Sequence, residues 1–298
     1  MGGVLFSMDE KGKPILSKEI RAGGKIYLLS IEEEDLSRLY PGMIRYTLRL
    51  SRGGETLCLF RTNSYEYSPT VPLNAEGVIR GKAVEWERAL TRDPDGFLAS
   101  LGGTREVAPP AGDVEALIIQ GSPRADGNCS ILAGWAAEEA GDLGKKARVV
   151  FLDDLSIHPC IGCYQCYNTG TCAFDDDMAA LIRDLRSASL LVICTPVYTN
   201  TVPGGLKIFM DRCQAYHAEM TLVTGRREKN GLLLSVAGRK GADNFACVKK
   251  VVISFMRNLG IRDSGEVLTD GMDGIRDIRT LPGIRERVAI LVRDALKR

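Results

Sequence analysis

The stretch that decides the fold is residues 115–128, which read EALIIQGSPRADGN. Residues 115–120 form a mostly apolar run, which is typical of a strand buried in a parallel sheet covered on both faces. Residues 121–128 contain the glycines, proline and asparagine of a short loop, and residues 129–140 then predict a helix. A strand, a loop and a helix in that order form the repeating unit of an α/β domain.

The same alternation continues from this unit toward the end of the chain. Further strands are predicted at 146–152, 190–194, 231–236 and 266–268, and further helices at 176–185, 204–220, 244–259 and 284–296. Apolar strands that alternate with amphipathic helices predict a parallel sheet with helices on both faces. We therefore expect residues 114–298 to form a flavodoxin-like, doubly wound α/β domain whose five-stranded parallel sheet has the order 2-1-3-4-5.

Residues 1–106 follow a different pattern. Strand-like segments lie at 25–29, 43–50 and 56–60. Gly53-Gly54 predicts a hairpin, and residues 81–91 predict a helix, although Val84 and Trp86 also suit a strand. We expect a small β-rich or α+β domain of unknown role at 1–106 and a linker at 107–113.

The composition is that of an ordinary globular protein and excludes several classes of function. The 298 residues are 45% hydrophobic and 26% charged, with a formal net charge of +1. This balance gives no global field for nucleic acid or an anionic membrane, and no apolar run approaches the ~20 residues that span a bilayer. The first residues lack the pattern of a secretion signal, and clustered cysteines fit a reducing compartment. We expect a cytoplasmic protein with neither nucleic acid nor membrane as a partner.

Four of the nine cysteines lie between residues 160 and 172. Cys160, Cys163 and Cys166 form a C-x2-C-x2-C run, which bends the backbone so that three thiolates can converge, and Cys172 can supply a fourth. Thiolate ligation of this kind holds [4Fe–4S] clusters, so these four residues are candidate metal ligands. Two alternatives stay open: a zinc site, whose cysteine pairs usually have a longer spacer, and a thiol cluster without metal.

The loop at 121–128 is a candidate phosphate site. It joins a strand to the N-terminus of a helix, where backbone N–H groups and Arg124 can hold an anion. Because the loop is neither G-x-G-x-x-G nor a Walker loop, a phosphate monoester such as that of FMN is favoured over a dinucleotide. The alternative is a surface turn capped by Asn128.

Two further loops follow predicted strands at the same edge of the sheet. In the 2-1-3 order, residues 195–200 lie beside the first loop, so their backbone amides can reach a flavin ring and Tyr198 can cover its face. An ordinary buried loop with a packed aromatic residue is the alternative. The next strand ends at Ala237 and Gly238, where glycine permits close approach of the backbone, so both are candidate cofactor-binding residues.

Together these motifs resemble the iron–sulfur flavoprotein branch of the NADPH-dependent FMN reductase family, over residues 114–298. The matching motifs are G-S-P-R-x-x-G-N at 121–128, the cysteine segment with Asp-Asp-Met at 176–178, T-P-V-Y at 195–198 and L-K-x-F-x-D-R at 206–212. The resemblance implies that Ser122, Arg124, Asn128 and Ser130 hold the FMN phosphate. It also implies that Pro196, Val197, Tyr198, Thr199 and Asn200 line the ribityl chain and ring, and that Cys160, Cys163, Cys166 and Cys172 ligate a [4Fe–4S] cluster.

We therefore predict an FMN-dependent oxidoreductase, an electron-transfer flavoprotein that uses FMN and a [4Fe–4S] cluster to pass electrons between two-electron and one-electron carriers. The expected partners are ferredoxin or another small redox carrier, or NAD(P)H as substrate, and further copies of the chain in a dimer or tetramer. One alternative is a cluster-free NAD(P)H-dependent FMN or quinone reductase. The other is a redox-sensing regulatory binding protein whose residues 1–106 contact a partner.

Overall fold

The structure, a computed structural model, describes residues 12–101, 113–224 and 227–297, and it divides into two compact units. The N-terminal unit consists of Met1–Val107 and Ile161–Ala173, and the flavodoxin-like unit consists of Ala108–Cys160 and Phe174–Arg298. Residues 161–173 thus belong with the N-terminal unit, a grouping that the sequence did not indicate. The predicted linker at 107–113 lies outside the described residues except for Asp113.

An antiparallel sheet and two helices form most of the N-terminal unit. In the described residues the sheet has the order β1 (Lys13–Ala22), β2 (Lys25–Asp35), β3 (Ile44–Arg52) and β4 (Glu55–Asn63). The helices are α1 (Ala75–Arg92) and α2 (Pro94–Ser100). Because side chains alternate across a strand, one face of the sheet is apolar, and Leu29 and Leu48 on that face share a core with Ile79, Trp86 and Leu90 of α1.

The N-terminal sheet and helix agree with the α+β fold expected for this part of the chain. Gly53-Gly54 joins β3 to β4 as the predicted hairpin turn. The helix predicted at 81–91 begins earlier, at Ala75, because Asn74 Oδ1 accepts a hydrogen bond from the Gly77 N–H at 2.8 Å and caps it. Strand β1 was missed, since its many exposed lysine, glutamate and arginine side chains mark a solvated edge strand rather than an apolar one.

The flavodoxin-like unit contains a five-stranded parallel sheet in the described residues, with the order β6-β5-β7-β8-β9. Its strands are β5 (Ala116–Gln120), β6 (Ala147–Phe151), β7 (Leu190–Pro196), β8 (Lys229–Val236) and β9 (Ile261–Thr269). This is the predicted 2-1-3-4-5 order, so the predicted fold class is confirmed. The helices that follow along the chain are α3 (Asn128–Asp142), α4 (Cys166–Thr169, within the N-terminal unit), α5 (Met178–Ser187), α6 (Gly204–Arg212), α7 (Gln214–Glu219), α8 (Ala246–Asn258), α9 (Met272–Ile275) and α10 (Ile284–Leu296).

Most elements of this unit differ from their predicted bounds by one or two residues, and two differ by more. The helix predicted at 204–220 divides into α6 and α7, because the N–H of Cys213 is shared between the carbonyls of Phe209 and Met210 and tightens the turn. Strand β9 is longer than the predicted 266–268, since its polar, half-exposed first half lies at the edge of the sheet and lacks the apolar signal of a central strand. None of the helices in the described residues combines the length and apolarity needed to cross a membrane.

Candidate functional site

A cleft of about 1370 Å³ opens at the carboxyl edge of the parallel sheet, entirely within the flavodoxin-like unit. Parallel pairing places Gln120 beside Cys194 and Pro196 beside Val236, so the loops that follow β5, β7 and β8 begin at one edge. The order of strands reverses between β5 and β7, and ligands of open α/β sheets bind at such a point. The cleft is lined by residues 122 and 124–129, Ile131, 196–200, 236–239, Asn244, Met272, Asp273, 276–277 and Arg279.

The buried side chain of Gln120 shapes the first loop. Its Oε1 accepts a hydrogen bond from the Ser122 N–H at 3.0 Å, and its Nε2 donates to Ser130 Oγ at 2.9 Å and to the Arg124 carbonyl at 3.2 Å. Ser122 Oγ in turn accepts from the Arg124 N–H at 3.1 Å. These bonds fix the loop in front of the first turn of α3, which is the arrangement that suits an anion. Sequence reasoning missed Gln120 because it treated the residue only as the end of a strand.

Two of the predicted phosphate-binding residues have structural partners. Asn128 donates through Nδ2 to the Arg276 carbonyl at 2.9 Å and accepts through Oδ1 from the Ile278 N–H at 3.0 Å. It lines the cleft, but it does not cap α3, whose N-cap residue is Gly127. Ser130 is bonded to Gln120 and does not line the cleft. Ser122 and Arg124 do line it, as do all five predicted residues at 196–200, Ala237 and Gly238.

Gly121 is a position where the first loop passes close to Leu206 of α6. A Cβ atom there would lie 2.9 Å from Leu206 Cδ2, whereas at Gly134 in α3 it would meet nothing within 4 Å. We expect Gly121→Ala to lower the free energy of unfolding by about 1–3 kcal/mol through overpacking. Gly134→Ala should raise it by about 0.5–1 kcal/mol, because alanine suits a helix better.

Urea unfolding measures this pair of variants. Of the two tryptophans, Trp86 lies in the N-terminal unit and Trp135 in the flavodoxin-like unit, so a Trp86→Phe background makes fluorescence report the latter alone. A Gly121→Ala variant as stable as its parent would show that the loop does not need this close approach.

The loop after β7 is a tight turn with two unusual backbone angles. Tyr198 and Thr201 exchange backbone hydrogen bonds of 2.8 and 2.9 Å, and between them Thr199 and Asn200 have positive φ angles of 46° and 63°. Positive φ is uncommon outside glycine, and such strain is concentrated at binding and catalytic sites. The turn leaves the Tyr198 side chain 39% exposed at the cleft, so a flat ligand can pack against its ring.

The segment 272–279, which follows β9, forms a third wall of the cleft that the sequence did not indicate. Its backbone is bonded to the loop after β8, with the Met272 N–H on the Ala237 carbonyl and the Asp273 N–H on the Gly238 carbonyl, both at 3.0 Å. The Asp273 carboxylate packs on Gly238, where a Cβ would lie 2.5 Å from it. Because Gly238 has no side chain, the Asp273 carboxylate can lie directly against its backbone. The signal available in the sequence was topological, since β9 neighbours β8 and its following loop must lie at the same edge.

The buried cysteines of the flavodoxin-like unit are packing residues. Burial raises the pKa of the Cys129 thiol to about 12 and also raises the pKa values of Cys194 and Cys213. A thiol with so high a pKa remains protonated and is a poor nucleophile or metal ligand. Cys129 lines the cleft but is 2% exposed, which agrees with a packing role.

The four clustered cysteines are divided between the two units. Cys160 is exposed and ends the first segment of the flavodoxin-like unit, whereas Cys163, Cys166 and Cys172 are half-buried in the N-terminal unit. None of these four described cysteines forms a disulfide, so the donor set has the chemistry that iron or zinc requires. Within the described residues, however, no group of three or more His, Cys, Asp or Glu side chains is gathered as a metal site.

A buried ion pair lies in the flavodoxin-like unit at residues that flank the cysteine segment. Arg212 donates to the two carboxylate oxygens of Asp176 at 2.6 and 2.9 Å, and the two side chains are 1% and 6% exposed. Arg212 also donates to the His158 carbonyl at 2.7 Å, while the His158 N–H donates to Asp176 at 3.0 Å. Asp176 also accepts a hydrogen bond from the Met178 N–H, at the start of α5, at 3.2 Å, but its principal partner is Arg212.

The pair also sets the charge state of Asp176. Burial by itself raises the pKa of this carboxyl group, but the hydrogen bonds from Arg212 and the His158 N–H outweigh burial and hold the pKa below its ordinary value. Hydrogen bonds therefore link His158, before the cysteine segment, to Asp176, after it. Asp176 and Arg212 belong to the sequence motifs at 176–178 and 206–212.

A doubly wound parallel sheet with a cleft at its switch point is the arrangement of flavodoxin-like proteins, in which ligands bind at that point. Residues 114–267 match the family described as NADPH-dependent FMN reductase, a family of flavin-dependent oxidoreductases. The match covers more than half of the chain, which therefore belongs to this family, and the predicted class of enzyme, an oxidoreductase, is confirmed.

Curated relatives agree with this assignment. An iron–sulfur flavoprotein of Methanosarcina thermophila is 29% identical over 45% of this chain and 68% of its own length. One from Methanocaldococcus jannaschii is 31% identical over 41% of this chain and 62% of its own length. The chain thus spans about two thirds of the length of these relatives. Among solved structures, RosB with a bound flavin intermediate covers 62% of this chain and 78% of its own, with a TM-score of 0.46 and 16% identity. A similarity this low says nothing about function.

Proposed function

We propose that the cleft binds FMN and that the protein is an oxidoreductase that moves electrons through it. The observation that carries this proposal is the convergence of the loops after β5, β7 and β8 on one cleft at the switch point, in a chain that belongs to an FMN reductase family. The residues fit the group: a loop fixed by Gln120 precedes a helix N-terminus, and an exposed tyrosine lies on a strained turn. FMN supplies the capacity to exchange electrons in pairs, as hydride, or singly.

Each part of the cleft has a role in this proposal. Ser122 and Arg124, with the first turn of α3, hold the terminal phosphate, while residues 196–200, Ala237 and Gly238 hold the ribityl chain and ring. Asn128 contributes by fixing Arg276 and Ile278, the segment that forms the third wall. The cleft exceeds the ~300–1,000 Å³ of a typical ligand site, so a second ligand such as NAD(P)H has room beside the flavin.

We also propose that Cys160, Cys163, Cys166 and Cys172 ligate a [4Fe–4S] cluster, which would supply one-electron transfer. The support is the C-x2-C-x2-C run with Cys172, none of which is in a disulfide, and the iron–sulfur flavoproteins among the curated relatives. Ferredoxin or a similar carrier is the proposed one-electron partner. The domain bounds 1–106 and 114–298, the cytoplasmic location and the homo-oligomeric state stay predictions.

Loss of the Arg124 guanidinium should weaken FMN binding. We expect Arg124→Ala to raise the dissociation constant of FMN by a factor that corresponds to about 1.5–3 kcal/mol, the value of a charge-assisted hydrogen bond. Titration of the flavin-free protein with FMN, followed by flavin fluorescence, measures it. Arg257→Ala is the matched control, since Arg257 is exposed on α8 and does not line the cleft. Equal affinities in the two variants would remove Arg124 from the site.

Anaerobic reduction tests the function. The purified protein is mixed in turn with NADPH, NADH and reduced ferredoxin, and reduction of the bound flavin is followed together with transfer to a one-electron acceptor. Turnover is the expected result for an oxidoreductase. Reduction by a pyridine nucleotide in protein that holds no iron would favour the cluster-free reductase, and no turnover with any donor would favour the regulatory protein.

A further inference from the structure

The face of the N-terminal sheet opposite α1 carries polar side chains that bind the segment 161–173. Arg45 and Asn63 pair across β3 and β4, and Thr47 pairs with Arg61, so these residues share that face. Arg45 is 7% exposed, and its guanidinium donates to both carboxylate oxygens of Glu34 at 2.7 and 2.9 Å. This face therefore carries a largely buried ion pair, with side-chain exposures of 8% for Arg45 and 26% for Glu34.

Two arginines of this face bind the end of α4. Arg45 Nη1 donates to the Tyr167 carbonyl at 3.0 Å, and Arg61 Nη1 donates to the Asn168 carbonyl at 3.2 Å. The last carbonyls of a helix lack partners within it and carry partial negative charge, so cations stabilise them. A helix as short as Cys166–Thr169 does not persist on its own in water. Contacts with the sheet therefore hold it.

A buried amide network adds a second anchor. Asn168 is 5% exposed, and its Oδ1 accepts from Asn63 Nδ2 at 2.8 Å, while its Nδ2 donates to Glu66. Asn63 Nδ2 also reaches the Tyr164 carbonyl at 3.3 Å. Tyr164 has a positive φ of 56°, so this bond stabilises a backbone conformation that tyrosine rarely adopts.

Aromatic side chains complete the anchor. Tyr164 packs on Tyr40 and Tyr65 of the N-terminal unit, and Tyr167 packs on Tyr40, with ring centroids 5.1–5.3 Å apart. Edge-to-face pairs of this kind contribute beyond the area that they bury. Tyr164 directly follows Cys163, and Tyr167 directly follows Cys166. Each of these two cysteines is therefore next to an anchored residue.

We propose that the N-terminal unit is a platform that fixes the backbone of Cys163 and Cys166 in the metal-free protein, with Arg45, Arg61, Asn63 and Asn168 as positioning residues. This gives residues 13–66 a role: they order a ligand-bearing segment that lies a hundred positions further along the chain. The consequence for cluster assembly rests on the proposed function, but the ordering of the segment does not.

Hydrogen exchange on the metal-free, full-length protein tests the platform. We expect Arg61→Gln and Asn168→Ala each to speed amide exchange in peptides from 161–173 by about tenfold, the effect of losing one such hydrogen bond. Exchange in β3 should not change. Arg49→Gln is the matched control, because Arg49 lies on the same face but is bonded to Thr56 and Glu32 and should leave exchange in 161–173 unchanged. If Asn168→Ala does not fold, Arg61→Gln decides alone. Unchanged exchange in 161–173 would overturn the platform.

A second readout separates this inference from the cluster proposal. After anaerobic reconstitution, iron and sulfide content and the electron paramagnetic resonance spectrum of the reduced protein are compared among the same variants. Less iron, or an altered spectrum, in Arg61→Gln but not in Arg49→Gln is the expected result. A wild-type protein without iron would contradict the cluster while the exchange data still support the platform. Full iron with an unaltered spectrum and unchanged exchange in every variant would contradict the platform alone.

Discussion

Asp176→Asn should destabilise the flavodoxin-like unit by about 3–5 kcal/mol, because it leaves the buried Arg212 guanidinium without its counter-charge. The pair is almost fully buried, and Arg212 is also bonded to the His158 carbonyl, so the cation cannot turn toward water without breaking further contacts. Urea unfolding followed by Trp135 fluorescence in the Trp86→Phe background measures the loss. Asp175→Asn is the matched control, since Asp175 is the exposed neighbouring carboxylate. Equal stabilities of the two variants would show that the ion pair contributes nothing.

The same pair predicts a pH dependence with a definite sign. The pKa of Asp176 is below its ordinary value in the folded protein. The stability it contributes is therefore present above the ordinary carboxyl pKa of about 4 and is lost as the pH falls through the lower, folded value. The stability difference between wild type and Asp176→Asn should be constant near neutral pH and shrink progressively below about pH 4. A difference that grows on acidification would contradict this account of the pair.

Cys163→Ser should remove the cluster and leave the flavin. Serine is a poor substitute for a thiolate at iron, so iron and acid-labile sulfide should fall to a small fraction of the wild-type content. Cys163 belongs to the N-terminal unit, whereas every residue that lines the cleft belongs to the flavodoxin-like unit, so bound FMN should be unchanged. Transfer to a one-electron acceptor should fall far more than reduction of the flavin.

Cys247→Ser provides the control for this experiment, because Cys247 is an exposed free thiol on α8. It should keep both iron and flavin. Elemental analysis of the wild-type protein distinguishes iron from zinc in the same measurement. Full iron and sulfide in Cys163→Ser would show that Cys163 is not a ligand.

The sheet and most of the cleft could be predicted because their signals are local. Buried parallel strands are continuous apolar runs, and once their order is known, the loops after β5, β7 and β8 must share an edge. The segment 272–279 was missed because it follows an edge strand whose polar half carries no apolar signal. Gln120 was missed because its role depends on Ser122, Arg124 and Ser130 meeting around its amide.

The long-range contacts in the cysteine segment and beside it left no such signal. The ion pair of Asp176 and Arg212 and the contacts of Asn168 with Asn63 join residues that are far apart in sequence. Such pairs obey neither the helical nor the strand period, so periodicity cannot find them. The residue types gave no signal either, since acidic side chains such as those at 175–177 are common at the start of a helix, where they interact favourably with its dipole.

The identity of the released flavin tests the central claim most directly. The protein is purified without air, denatured and chromatographed against FMN, FAD and riboflavin standards, and flavin is quantified per chain. The account predicts FMN, close to one per chain after reconstitution. Recovery of FAD, or no bound flavin after incubation with excess FMN, would contradict it.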